Sequence, residues 1–130
     1  MNKSFLSVAA LLGALSVVLG AFAAHGLKSM ASPETVAVFE TGVRYQFYHV
    51  FALLMVALLS ERFSNRWMVW AGNCFITGII LFSGSLYVLT ALKIAESTHG
   101  RLVGVVTPIG GVFFIVGWVF LWLGVTQRKK

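Results

Sequence analysis

Charged residues are absent from four stretches of the chain, Ser4–Ala24, Tyr45–Ser60, Trp67–Leu92 and Leu102–Gln127. Crossing about 30 Å of hydrocarbon takes about 20 residues of helix. The first, third and fourth stretches, of 21, 26 and 26 residues, are long enough as they stand. The second has 16, and reaches 20 if it begins at Thr41 and takes in Arg44, whose long side chain can snorkel to the headgroups. Backbone groups in lipid need internal partners, and the strand-like alternation of a membrane barrel is missing, so helices are the solution. The pattern predicts an all-α protein, an integral membrane four-helix bundle. Its single domain covers residues 1–130, with spans at 4–24, 41–60, 67–92 and 102–127.

The connections refine this picture. Ser32-Pro33-Glu34 reads as an N-cap, a proline in the first helical position and an acidic first turn. Val36, Phe39 and Val43 follow at near-helical spacing, which predicts a short amphipathic surface helix between helices 1 and 2, with Gly42 as a bend before the membrane. Thr107-Pro108 interrupts the fourth stretch, because Pro108 cannot donate to the Gly104 carbonyl. Pro108–Gln127 is long enough to span alone, so a helix start at Thr107 is expected there. Met1-Asn2-Lys3, the first apolar stretch and Ala21-Phe22-Ala23 share features with a secretory signal. The stretch is longer than the usual apolar region of such signals, and we expect it to remain as a span.

Composition agrees and adds an orientation. Of 130 residues 58% are hydrophobic and only 11% charged, which excludes a soluble globule and a disordered chain. The charges are ten Lys and Arg against four Glu, a net +6. In a soluble protein such a balance suggests nucleic acid. Here the cations sit between the apolar stretches and form no stripe, so the lipid bilayer is the expected partner and nucleic acid is not. Lys3, Arg62, Arg66, Arg128, Lys129 and Lys130 lie on one side of the four-span topology, and Lys28, Arg44, Lys93 and Arg101 on the other. The richer side is cytoplasmic by the positive-inside rule, so both termini are expected in the cytoplasm. Trp67, Trp70, Trp118 and Trp122 then fall in the inner half and Tyr45, Tyr48 and Tyr87 in the outer. Cys74 has no second cysteine to pair with.

Helices in lipid associate through close approach at small residues. The first stretch carries Ala9, Gly13, Ser16, Gly20 and Ala24 on one face. The fourth carries Gly110, Gly117 and Gly124 at heptad spacing, with Gly104 and Gly111 as a neighbouring series. Gly13, Gly20, Gly110, Gly117 and Gly124 are therefore read as helix-packing positions.

Candidate chemistry concentrates on helix 2. Helical spacing puts Thr41, Arg44, Tyr45 and Tyr48 on one face, with His49 one turn beyond Tyr45 and Glu40 placed to pair with Arg44. An ionisable residue within a membrane is a functional candidate, although anchoring at the headgroups is the simpler explanation of Arg44 so near the interface. His25, His49 and His99 all lie toward the outer side, and two of them could ligate haem or a metal. None has a ligand spacing, so neither metal nor cofactor is expected. The stretches hold no carboxylate, which argues against proton-coupled export. Nucleophile-elbow and phosphate-loop motifs are missing, so no catalytic residue is assigned. Ser83 and Ser85 suit interhelical hydrogen bonding better than nucleophilic attack.

The segments Gly20–Gly26, Thr41–His49, Leu81–Tyr87 and Val106–Gly111, followed by Gly117-Trp118, together resemble the YgdD-like family of small bacterial inner-membrane proteins, a family of unknown function. They occur in the family's order across nearly the whole chain. Ala23 departs from it, standing where the family segment has glycine. The resemblance implies a multi-pass protein of the bacterial inner membrane and no reaction, substrate or catalytic residue. The matching segments cluster at the outer helix ends. This suggests one ligand-binding site from His25, Arg44, Tyr45, Tyr48, His49, Ser83, Ser85 and Tyr87. The expected role is a non-enzymatic interaction or accessory component that self-associates or meets a membrane-protein partner. The alternatives are a small transporter or channel subunit recognising an anionic or lipid headgroup through Arg44, and a haem- or metal-binding redox protein using His25 and His49.

Overall fold

The computed structural model describes residues 1–127, so Arg128, Lys129 and Lys130, which weighed in the orientation, lie outside the described residues. Helix α1 runs Lys3–Ala24, a 3-10 turn covers Leu27–Ser29, and α2 runs Pro33–Leu59. The third span is composite. It consists of α3 (Arg66–Gly78), a π-helical segment (Ile79–Ser83) and α4 (Gly84–Ile94), and α5 (Gly100–Thr126) forms the fourth. Four helices, Lys3–Ser29, Pro33–Leu59, Arg66–Ile94 and Gly100–Thr126, are long and apolar enough to cross a membrane. Many outward side chains are large and apolar, among them Leu11, Val18, Ile80, Leu102 and Ile115, as a bilayer requires.

Caps fix where the helices begin. Asn2 accepts the Phe5 N–H, Ser32 accepts the Thr35 N–H with Pro33 in the first turn, and Asn65 accepts the Trp67 and Met68 N–H groups. Two caps also tie spans together. The Asn2 N–H donates to the Ala57 carbonyl at 3.0 Å, and the Asn65 amide donates to the Gly124 carbonyl at 2.9 Å.

Two boundaries correct the sequence reading. No separate amphipathic helix lies on the surface: its residues are the first turns of α2, which is continuous from Pro33. Val36 and Phe39 open an inward face that runs on through Gly42, Gln46, Val50, Leu53 and Val56, so nothing favours a bend. They are buried against Ala23 and Leu27 in a second small core. Gly42 serves close approach instead, since a Cβ there would stand 2.9 Å from the Tyr87 ring. At the other end, α5 does not start at Thr107 but at Gly100, with Pro108 inside it. The turns before Pro108 are held on α4, where a Cβ on Gly100 would meet Leu89 at 3.1 Å and Ser85 bonds Thr107 at 2.6 Å.

The glycines explain the packing order. A Cβ on Gly124 would meet Met68, one on Gly117 would meet Phe75, and one on Gly110 would meet the backbone of Phe82. Both series step by seven in opposite directions, so α5 lies antiparallel along the third span. Phe114 returns the contact at Gly78. The third span also packs against α2, and α2 packs against α1. The α1 face closes on Ala23, which is buried, rather than on Ala24, which is exposed. Gly13 and Gly20 approach α2 less tightly, with a Cβ finding Val50 at 3.4 Å and Val43 at 3.6 Å. Gly13→Ala is therefore expected to change stability by less than about 1 kcal/mol, because helix propensity gained offsets the small crowding. A detergent unfolding titration measures this.

Candidate functional site

The third span lies between α2 and α5, which touch through His49 against Phe114 and Trp118, and a groove of 640 Å³ opens sideways between them. That size lies in the range of about 300–1,000 Å³ common to ligand sites. Tyr45, Tyr48 and His49 form the α2 wall, at a spacing that repeats one face of the helix. Pro108, Gly111, Phe114 and Trp118 lie on the α5 wall, and Phe82 of the π-helical segment lies between. The π turn has its own hydrogen-bond partner, as the Ser85 hydroxyl donates to the Phe82 carbonyl at 2.8 Å. With that proton used, the hydroxyl at 2.6 Å from Ser85 is Thr107 donating, which fastens α5 to α4 beside the groove.

His49 is the most constrained side chain in the groove. Its ring stacks on Phe114 with centroids 3.5 Å apart and planes 8° from parallel. Nδ1 stands 2.6 Å from the Tyr45 carbonyl oxygen, and Nε2 is 3.1 Å from the indole Nε1 of Trp118. A carbonyl only accepts and an indole N–H only donates, so Nδ1 carries the proton and Nε2 receives one. Both nitrogens are thus engaged while the imidazole is neutral. A metal or haem would have to displace Trp118 from Nε2. The structure does not bring His25 to this place. It caps the end of α1 before α2 begins, whereas His49 lies 16 residues past Pro33, about 24 Å along the axis. Among the described residues, no three His, Cys, Asp or Glu side chains form a metal-binding group.

The eight candidate residues divide rather than converge. Tyr45 and Tyr48 are exposed on the groove side of α2 with His49 buried behind them, and Arg44 is exposed one turn before Tyr48. Ser83 and Tyr87 face the other way, into the contact between α2 and α4. There Ser83 donates to the Gly42 carbonyl at 2.6 Å, and the Tyr87 hydroxyl donates to Gln46 Oε1 at 2.6 Å. The Gln46 amide in turn donates to the Leu12 carbonyl at 3.1 Å, joining α4, α2 and α1. Ser85 is bonded to Thr107 between α4 and α5. The expected Glu40–Arg44 pair does not form. The only ion pair among the described residues joins the Met1 ammonium to Glu61, at 4.0 Å. Glu40 instead lines a separate cleft with Lys28 and Pro33.

Sequence reasoning missed Gln46, Phe82, Phe114 and the Trp118–His49 bond. A signal for Gln46 existed in its place on the inward face between Phe39 and Leu53. The Trp118–His49 bond joins residues 69 apart in sequence, and no local pattern carries it.

The family model described as a protein of unknown function, DUF423, matches residues 19–111. The chain belongs to the DUF423 family. A UPF0382 membrane protein of Staphylococcus aureus is 42% identical over 119 residues, 92% of each chain. The UPF0382 membrane protein YwdK of Bacillus subtilis is 40% identical over 120 residues, 92% of this chain and 93% of the relative. The UPF0382 inner membrane protein YgdD of Escherichia coli is 36% identical over 129 residues, 99% of this chain and 94% of the relative. No solved structure matches the chain. With four candidate spans and relatives named as membrane proteins, this DUF423 protein is a multi-pass membrane protein. The family match includes the α2 wall and the π-helical segment, and reaches Gly111 on the α5 wall.

Proposed function

We propose that this DUF423 protein is a non-enzymatic component of the bacterial inner membrane, with both termini in the cytoplasm, that holds a lipid in its outer leaflet half. One acyl chain lies in the groove between α2 and α5, and an anionic headgroup meets Arg44. The lateral opening of that groove carries the reading, since such a site is reached from the bilayer and not from water. Counting about 20 residues back from Ser60 puts the outer hydrocarbon boundary near Thr41, so Arg44 lies one turn inside it. Its guanidinium is exposed and has no carboxylate within ion-pair distance. A lipid phosphate offers the bidentate, charge-assisted partner that such a site lacks.

A closed interior supports an accessory role over a conducting one. Phe75, Phe114 and Met68 fill the seam between the third span and α5, and no buried side-chain polar atom among the described residues lacks a partner. The distribution of Lys and Arg supports the orientation, and the name of the Escherichia coli relative supports the inner membrane. A fluorescent protein fused to the C-terminus is expected to fluoresce in the cytoplasm and alkaline phosphatase fused there to stay inactive. The reverse result removes the orientation.

Occupancy is tested by tryptophan quenching in vesicles, with Trp67, Trp70 and Trp122 replaced by Phe so that Trp118 alone reports. Lipids brominated on the acyl chain should quench Trp118 strongly. Brominated phosphatidylglycerol should do so at about tenfold lower fraction than brominated phosphatidylcholine, a preference that Arg44→Gln should bring near one. Absence of quenching by either lipid overturns the groove site. Equal quenching by both in the native sequence overturns the headgroup assignment alone.

A further inference from the structure

Asn73 is turned outward from α3 and exposed, in the middle of a face that is otherwise built for lipid. It lies seven residues past Arg66, about 10 Å along the helix, well inside a hydrocarbon layer about 30 Å thick. Three other amides within or beside the bundle have partners, Asn2 at the Phe5 N–H, Gln46 at Leu12 and Tyr87, and Asn65 at the α3 start and Gly124. No side-chain hydrogen bond among the described residues reaches Asn73. At that depth neither water nor an acyl chain offers a donor or an acceptor. Thr77 follows one turn later, and Val69 and Ile80, exposed by 46% and 64%, flank the pair with flat apolar surface.

We infer that this face of α3 is a homodimer interface, in which Asn73 of each copy bonds Asn73 of the other. All copies enter the membrane in the same orientation, so a two-fold axis along the membrane normal brings identical residues together at identical depth. An amide suits that symmetry, because it carries both donors and an acceptor and is its own complement. A carboxylate or an ammonium would repel its symmetry mate. The interface lies on the third span's outer side and leaves Arg44 and the lipid groove open, so the inference stands apart from the lipid reading.

Energy transfer between differently labelled full-length copies in phosphatidylcholine vesicles measures the association. The native sequence should dimerise, Asn73→Leu should raise the dissociation constant about tenfold, and Asn73→Gln, which keeps the amide, should stay within about threefold of native. Because residue 73 faces outward, helix content and thermal unfolding should be unchanged in both variants. In a Cys74→Ala background, Ile80→Cys copies should be joined by a short bis-maleimide. Monomers at every protein-to-lipid ratio, native association by Asn73→Leu, or no cross-link through residue 80 would each overturn the inference.

Discussion

Gly110→Ala is expected to disrupt the bundle, whereas Gly111→Ala, one residue along, should behave like the native protein. A Cβ on Gly110 would overlap the Phe82 nitrogen and stand 2.7 Å from its Cα and 2.8 Å from the Leu81 carbonyl carbon. Those are backbone atoms of the π-helical segment, and no rotamer change can move them aside. Relief requires α5 to shift off the third span, which also loosens Phe75 at Gly117 and Phe114 at Gly78. Overpacking of this kind costs about 1–3 kcal/mol in general, and the rigid partner places Gly110→Ala at about 3 kcal/mol. Gly117→Ala should cost less, since the clash at 2.8 Å is with the movable Phe75 ring. Gly124→Ala should cost about 1 kcal/mol, because the Met68 thioether end can swing away. At Gly111 the nearest atom to an added Cβ is 3.8 Å away, an ordinary contact. Denaturant titration of the four purified variants in micelles gives the ranking. If Gly110→Ala and Gly111→Ala unfold together, α5 is not seated on the third span as described.

That ranking also marks the limit of what a sequence discloses. The heptad of Gly110, Gly117 and Gly124 is visible in the chain, and so is the fact that such a series packs a helix. Its partners, Phe82, Phe75 and Met68, are equally spaced, yet only the fold sets the register between them. Gly42 shows the same limit from the other side. A glycine ahead of a span reads as a bend, but its role depends on Tyr87, 45 residues later, crossing at that point. The four spans were legible because bilayer thickness imposes a length on them. Ser32 and Pro33 were legible because capping is local. The groove was not, because it is the gap left when the glycine seam draws α5 to the third span instead of to α2. Arg44, Tyr45, Tyr48 and His49 were recognised as candidates by residue type. Their division from Ser83, Ser85 and Tyr87 follows from which helix face each one occupies.

Gln46→Leu is the second substitution expected to have a large effect, and it should loosen α1 in particular. Gln46 is 1% exposed and bonds two helices at once. The Leu12 carbonyl keeps a partner after the change, because the Ser16 hydroxyl also donates to it, at 2.7 Å. The Tyr87 hydroxyl instead loses its acceptor, and leaving a buried donor unpaired costs about 1–3 kcal/mol. Interhelical bonds in membrane proteins average nearer 0.6 kcal/mol by double-mutant cycles, because the unfolded chain also finds partners. Burial of Gln46 puts this case toward the upper end, at about 2 kcal/mol. Tyr87→Phe alone should cost about 1 kcal/mol, since Gln46 keeps its bond to Leu12. Combining Gln46→Leu with Tyr87→Phe should recover stability relative to Gln46→Leu, as both ends of the bond are then apolar. The location of the effect discriminates further. At Gly13 and Gly20 the packing of α1 on α2 is no tighter than ordinary contact, so the bond from Gln46 carries more weight there than a similar bond at the α5 seam would. Hydrogen exchange should therefore rise in α1 and remain unchanged in α5. Uniform exchange across both helices would mean that the three-helix relay does not hold α1 in place.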